Sequence, residues 1–322
     1  MLSPTREGSR TCSPEFTATS MTLLETINER ALLGDGAMGT QLQQAGLEPG
    51  GCGEAWNVEH PERVLAIQKT YVNAGSDCLI TNTFGGCEVM LERYGQAGQV
   101  AEINRAAVQI AREAFGGRPG FVLGDMGPFG GLMEPLGEVP EERVREAFHE
   151  QAEALVSAGA DAIIIETQTS LEELAIGIEA AKKAGAPCVI GSMAFDVMHD
   201  GSDLRTMMGV GPEEAAAFMV EAGVDIVALN CGTSVDVGWA AKVVPRYRAV
   251  CDLPTMAQPN AGTPALVNMK VVYRQTPEEM TAELPELLDT GINIVGGCCG
   301  STADHIRKFR ELIDRRAEEH SS

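Results

Sequence analysis

Ala222-Gly223-Val224-Asp225-Ile226-Val227-Ala228-Leu229-Asn230-Cys231-Gly232 reads as the end of one helix, a turn, a strand and the loop beyond it. Gly223 suits the left-handed position that closes a helix. The apolar run that follows has the length of a buried strand. The same order recurs at Ala74-Gly75-Ser76-Asp77 and Ala158-Gly159-Ala160-Asp161, each followed by an apolar run, and Ala184-Gly185-Ala186-Pro187 is a variant. This repeat is structural punctuation and carries no chemistry of its own.

Extending the pattern along the chain predicts strands over 31–35, 78–82, 121–125, 161–166, 187–194, 224–230, 254–259 and 291–297. Helices are predicted over 60–74, 98–115, 140–158, 170–184, 211–222, 236–250, 277–289 and 303–318. Strands alternating with helices imply a parallel sheet covered by helices. Eight such units predict an α/β fold, a single-domain (β/α)8 TIM barrel. A doubly wound open sheet is the alternative. It would carry a G-x-G-x-x-G loop after the first strand, which Gly34-Asp35-Gly36-Ala37-Met38-Gly39 does not match. Residues 1–20 show no period and read as a disordered tail, with the barrel over 21–322. Met21 precedes a helix start capped by Thr22 and is a candidate initiator.

The 322 residues are 44% hydrophobic and 22% charged, the proportions of a soluble globular protein with a substantial core. The net charge of −22 argues against nucleic acid as a partner. No apolar run is long enough to span a bilayer, and no secretory h-region opens the chain. The chain therefore reads as cytoplasmic. Its nine cysteines are then expected as free thiols or metal ligands rather than disulfides.

Active sites of such barrels lie at the C-terminal strand ends. Those ends are predicted to hold Asp35, Asn82-Thr83-Phe84, Glu166-Thr167, Ser192, Asn230-Cys231, Asn260 and Cys298-Cys299. Cys298 and Cys299 sit in Gly296-Gly297-Cys298-Cys299-Gly300, where the glycines permit a sharp turn that aims both thiols one way. Three converging thiolates suit zinc, and three protein ligands leave a position for substrate. A redox pair is the competing chemistry, but Cys298-Cys299 lacks C-x-x-C spacing. Cys78 and Cys188 read as core residues, Cys12 and Cys251 receive no role, and Cys52 and Cys87 stay open. Asp35 is also readable as a turn cap, and Asn82 and Asn230 as turn residues. Glu166 follows Ile163-Ile164-Ile165, and a buried carboxylate needs a partner, for which a cationic ligand group would serve. His60 and His199 show no cysteine-metal spacing.

Asp35-Gly36-Ala37-Met38-Gly39-Thr40, Asn82-Thr83-Phe84, Glu166-Thr167, Asn230-Cys231-Gly232 and Gly296-Gly297-Cys298-Cys299-Gly300 together resemble the homocysteine S-methyltransferase family. Within it, Asn57-Val58, Pro61 and Asn82-Thr83-Phe84-Gly85-Gly86 are similar to the homocysteine-binding module of cobalamin-dependent methionine synthase. The resemblance implies a (β/α)8 barrel that holds Zn2+ through Cys231, Cys298 and Cys299 and methylates the thiol of homocysteine to methionine. It places Asp35 and Glu166 at the amino group of homocysteine, and Asn82-Thr83-Phe84 at its carboxylate. Gly36 and Asn230 belong to the same substrate-binding set. The betaine-using branch carries a tryptophan near the position of Cys52, and no aromatic stands there here. No D-x-H-x-x-G cobalamin motif is present, so the expected methyl donor is methylcobalamin on a separate corrinoid protein. A small donor (S-methylmethionine, S-adenosylmethionine or betaine) is the alternative, as is a zinc- or thiol-binding protein without turnover.

Overall fold

The computed structural model describes residues 21–267 and 270–321; the predicted tail lies outside them. Eight parallel strands run β1 (Leu32–Leu33), β2 (Cys78–Ile80), β3 (Phe121–Met126), β4 (Ala162–Gln168), β5 (Val189–Met193), β6 (Ile226–Asn230), β7 (Thr255–Gln258) and β8 (Ile294–Val295). Their order, β1-β8-β7-β6-β5-β4-β3-β2, leaves one seam, between β1 and β2. The result is a nearly closed α/β barrel.

Helices follow the strands outside, among them Pro61–Ala74, Val100–Phe115, Glu141–Ser157, Leu171–Lys183 and Ala303–Ser321. The predicted helix 277–289 is two pieces, Pro277–Ala282 and Leu284–Asp289, divided where Pro285 opens the second. Thr22 caps Leu23–Glu29 in a capping box with Glu25. That helix sends Leu23 and Ile27 into the cluster formed by Leu32, Cys78, Ile164 and Ile190, plugging the lower end of the barrel.

Side chains alternate across each strand. Ile164 packs inside the barrel, while Ile163 and Ile165 pack outward under the helices. Cys78 and Cys188 are buried, as predicted. The inward series 162, 164, 166 and 226, 228, 230 carries Glu166 and Asn230 to the top of the interior. The register of β3, with Leu123 inside, carries Asp125 there too.

The sequence repeat has a purpose at the lower end. The Asp161 N–H donates to the Val122 carbonyl (2.8 Å), and its carboxylate accepts the Val122 N–H (2.7 Å). Asp225 does the same to Val189, at 2.8 Å in both directions. Asp77 does so to Leu33, at 2.7 and 2.9 Å, across the open seam. A fourth copy, Thr290-Gly291-Ile292-Asn293, carries an amide in place of the carboxyl; Asn293 exchanges bonds with Thr255 at 3.1 and 3.0 Å. Each even-numbered strand is thus clipped to the odd-numbered strand before it. The variant at 184–187 precedes an odd-numbered strand and lacks the clip.

Candidate active site

The upper end of the barrel opens into a cavity of about 410 Å3 lined by Asp35, Asp125, Glu166, Cys231, Cys298 and Cys299, among others. Cys231 follows β6; Cys298 and Cys299 lie in the turn after β8. Their three Sγ atoms lie within 4.8 Å of one another, with Cys231 and Cys299 at 3.8 Å. One soft, thiophilic cation fits such a donor set.

The glycines around the thiols act differently from one another. Gly300 has φ +81° and Gly232 φ +78°. A Cβ on Gly232 would fall 1.8 Å from the Phe195 carbonyl oxygen. Gly296 and Gly297, predicted to supply turn dihedrals, have no left-handed φ; they are needed for closeness. A Cβ on Gly296 would meet the Asp35 carbonyl at 2.9 Å, and one on Gly297 the Ser301 hydroxyl at 2.4 Å. Among the described residues, Thr167 (φ +58°) and Cys231 (φ +54°) are the non-glycine residues in the left-handed region. Asn230 sits between them. Its Oδ1 accepts from the Thr167 N–H (3.0 Å) and Ser192 Oγ (2.7 Å), and its Nδ2 donates to Thr167 Oγ1 (2.7 Å). Backbone strain of this kind persists only where the surroundings over-determine it; here Asn230 fixes Thr167, next to Glu166, and the Cys231 N–H donates to the Gln258 carbonyl (3.2 Å).

Among the described residues, no lysine, arginine or histidine lines the cavity. Burial raises Asp35 to about 7, opposed by the Ile80 N–H that its Oδ2 accepts (2.8 Å). Burial, then the charges of Asp35 and Cys299, raise Glu166 to about 8. Among the thiols, Cys299 is held at about 3 by hydrogen bonds from Cys231 and Cys298, with help from the Tyr273 hydroxyl. Cys298 is pushed well up by its bonds to Cys231 and Cys299 and by burial. Without a cation the cluster therefore keeps protons, since three adjacent thiolates repel one another.

Residues 32–313 match the sequence profile described as homocysteine S-methyltransferase. The chain belongs to the homocysteine S-methyltransferase family. It is 33% identical over 312 residues to methionine synthase of Mycobacterium leprae (strain TN), covering 91% of this chain and 25% of that one. The figures for methionine synthase of Mycobacterium tuberculosis (strain ATCC 25618 / H37Rv) are 33% over 308 residues, 90% and 25%. The chain thus spans about a quarter of the length of the curated relatives it matches. The metallated form of the homocysteine methyltransferase MmuM from Escherichia coli shares the fold, with a TM-score of 0.73 at 20% identity, covering 90% of this chain and 100% of that one.

Within this family member, the predicted residues divide into three groups. Asp35, Thr83, Phe84 and Glu166 line the cavity with the three cysteines. Asn82 lines it too, but its Nδ2 is committed to the Gly53 carbonyl (2.8 Å) and Asn57 Oδ1 (3.1 Å). What this loop can offer a ligand is backbone: the N–H groups of Asn82 and Phe84 find no acceptor among the described residues. Gly36 is glycine because a Cβ would strike Tyr71 at 2.8 Å, and Asn230 spends its side chain on Thr167 and Ser192. Four lining or neighbouring residues were not singled out in the sequence: Glu54, Asp125, Gln258 and Tyr273. Asp125 ends the predicted strand 121–125, and Gln258 lies inside 254–259, so inward alternation along those strands was the signal. Tyr273 follows the antiparallel pair Ala265–Val267 and Lys270–Val272, a connection without a barrel period.

Proposed function

We propose that this barrel holds one zinc ion through Cys231, Cys298 and Cys299 and transfers a methyl group to the thiol of homocysteine, giving methionine. The observation that carries the reading is the convergence of three thiols within 4.8 Å on a cavity rich in carboxyls and, among the described residues, free of basic side chains. Zinc, when bound, supplies the deprotonation that makes a thiol nucleophilic at neutral pH. The chain's own residues orient the acceptor. Glu166 and Asp35 receive the ammonium, while the N–H groups of Asn82 and Phe84 face its carboxylate. Asn230 holds the strained Thr167 backbone beside Glu166, and the Gln258 carbonyl holds that of Cys231. The acceptor sulfur then takes the methyl carbon, and the broken bond leaves its electron pair on the donor. Positioning of this kind is most of what such a transfer requires.

The donor we favour is a methylated corrinoid on a separate protein. Leu132, Leu136, Met207 and Leu266 stand exposed on the connections after β3, β5 and β7, at the same end as the cavity. Exposed apolar side chains around a mouth suit a protein partner. The acidity of the cavity supports a second reading, because S-methylmethionine, S-adenosylmethionine and betaine each carry a cationic centre. Among the described residues no helix is long and apolar enough to cross a membrane, and we place the reaction in the cytoplasm.

Metal analysis of the wild type is expected to give about one zinc per chain, and Cys298→Ala to lose it together with methyl transfer. Methionine formation would be followed in parallel with methylcobalamin, S-methylmethionine, S-adenosylmethionine and betaine. Full zinc retention in Cys231→Ala, Cys298→Ala and Cys299→Ala alike would refute the site. Turnover confined to a small donor would refute the corrinoid assignment alone.

A further inference from the structure

Four carboxyls line the cavity: Asp35, Glu54, Asp125 and Glu166. Two of them are answered by backbone, Asp35 by the Ile80 N–H (2.8 Å) and Glu54 by the Gly85 N–H (2.7 Å). Asp125 is different. It is 3% exposed, and its Oδ1 is buried with no hydrogen-bond partner. Its backbone, by contrast, is fully engaged. The N–H donates to Thr81 Oγ1 (2.9 Å), and the carbonyl accepts from Thr83 Oγ1 (2.8 Å) and Gln151 Nε2 (3.1 Å). The main chain is thus pinned while Oδ1 of the carboxyl it presents has no partner among the described residues. A buried polar atom left unmatched is costly, and such atoms are matched in nearly all folded proteins. The Glu166 carboxylate, on the neighbouring strand, likewise accepts no hydrogen bond among the described residues, although the Glu166 backbone carbonyl accepts from Gln168 Nε2 (3.3 Å).

An alkylammonium presents three N–H donors and one positive charge. We propose that Asp125 is a further ammonium-binding residue, which together with Glu166 makes this cavity select thiols bearing an α-amino group over deaminated ones. This rests on the proposed homocysteine reading and sharpens it. Asp35, with one oxygen tied to Ile80, contributes a single free oxygen, so Asp125 and Glu166 supply most of the acceptors. The partner class is a small aminothiol whose ammonium lies below the thiol group, between β3 and β4.

The test uses purified protein of measured metal content and calorimetric titration with L-homocysteine and with 4-mercaptobutanoate, which keeps the thiol and carboxylate but lacks the amine. The wild type is expected to prefer homocysteine. Asp125→Asn is expected to weaken homocysteine roughly tenfold to a hundredfold, the usual loss for a charge-assisted contact, and to leave 4-mercaptobutanoate nearly unchanged. Thermal unfolding checks the fold of the variant, and Asp125→Ser replaces it if the amide disturbs packing. Equal losses for both thiols, or no loss for either, would overturn the role of Asp125. A wild type that binds homocysteine no better than 4-mercaptobutanoate would overturn the homocysteine reading, and this inference with it.

Discussion

The two ends of the barrel use the same residue types at strand termini for opposite ends. At the lower end, Asp77, Asp161, Asp225 and Asn293 each accept a backbone N–H from the preceding strand. Asp77 is also flanked by Arg30 and Arg310, and Asp161 by Arg112. At the upper end, Asp125 and Glu166 are buried, and among the described residues their carboxyls meet no hydrogen-bond donor and no basic side chain in the cavity. A carboxyl at a strand end therefore says little by itself. Whether its hydrogen-bonding capacity is spent within the chain separates a clip from a binding group.

The largest effect is expected where the upper end is geometrically tightest. Gly232→Ala places a methyl group 1.8 Å from a backbone oxygen, at φ +78°. Nothing flexible stands there to yield. A loss of about 3 kcal/mol or more is expected in denaturant unfolding, with reduced metal binding because Cys231 precedes the glycine. Unchanged stability and metal content would show that the loop relaxes freely and that its strain is unimportant.

A paired comparison comes next. Asp225→Ala orphans the Val189 N–H and should cost about 1–3 kcal/mol of stability while leaving homocysteine affinity unchanged. Glu166→Gln should do the reverse, weakening homocysteine roughly tenfold to a hundredfold at equal or higher stability, since binding groups are commonly held at a cost to folding. If both variants changed stability and affinity together, the division between the two ends would fail.

The architecture was open to sequence reading because the period of a strand buried on both faces and the helix-closing glycine are local properties. Ala158-Gly159-Ala160-Asp161 announces a strand whatever surrounds it. The three thiols were readable for the same reason, as each stands next to its strand. What stayed hidden depends on neighbours distant in sequence. The seam is bridged by Asp35 accepting from Ile80, 45 positions away, and no local pattern shows which oxygen that occupies. Asn230 looked like a substrate residue, yet its partners Thr167 and Ser192 come from two other strands. Gly296 and Gly297 looked like turn residues, but Gly296 is small because the chain leaving β1 passes close by, and Gly297 because Ser301 does. Asp125 could have been noticed from its place at the end of a predicted strand; that it lacks a partner is visible only in three dimensions.

The smallest effect separates the two ends by their response to pH. In the folded protein Glu166 titrates at about 8 against an ordinary 4.5, and Asp35 at about 7 against 3.8, burial being the main cause for each. Between the ordinary and raised values, the folded state keeps protons that the unfolded chain has released. Stability from these groups is thus complete below about pH 4 and declines as pH rises through about 8. Cys299, held low, works in the opposite direction over the same range, so the informative quantity is a difference between proteins. Urea unfolding of metal-free wild type and Glu166→Gln, compared between pH 6 and pH 7, should show the variant gaining on the wild type by about 1 kcal/mol. Asp225→Ala, at the clipped end, should run parallel to the wild type over the same range. Parallel curves for Glu166→Gln as well would mean that the Glu166 carboxylate finds a counter-charge or solvent in the cavity, and the contrast between the two ends would then rest on geometry alone.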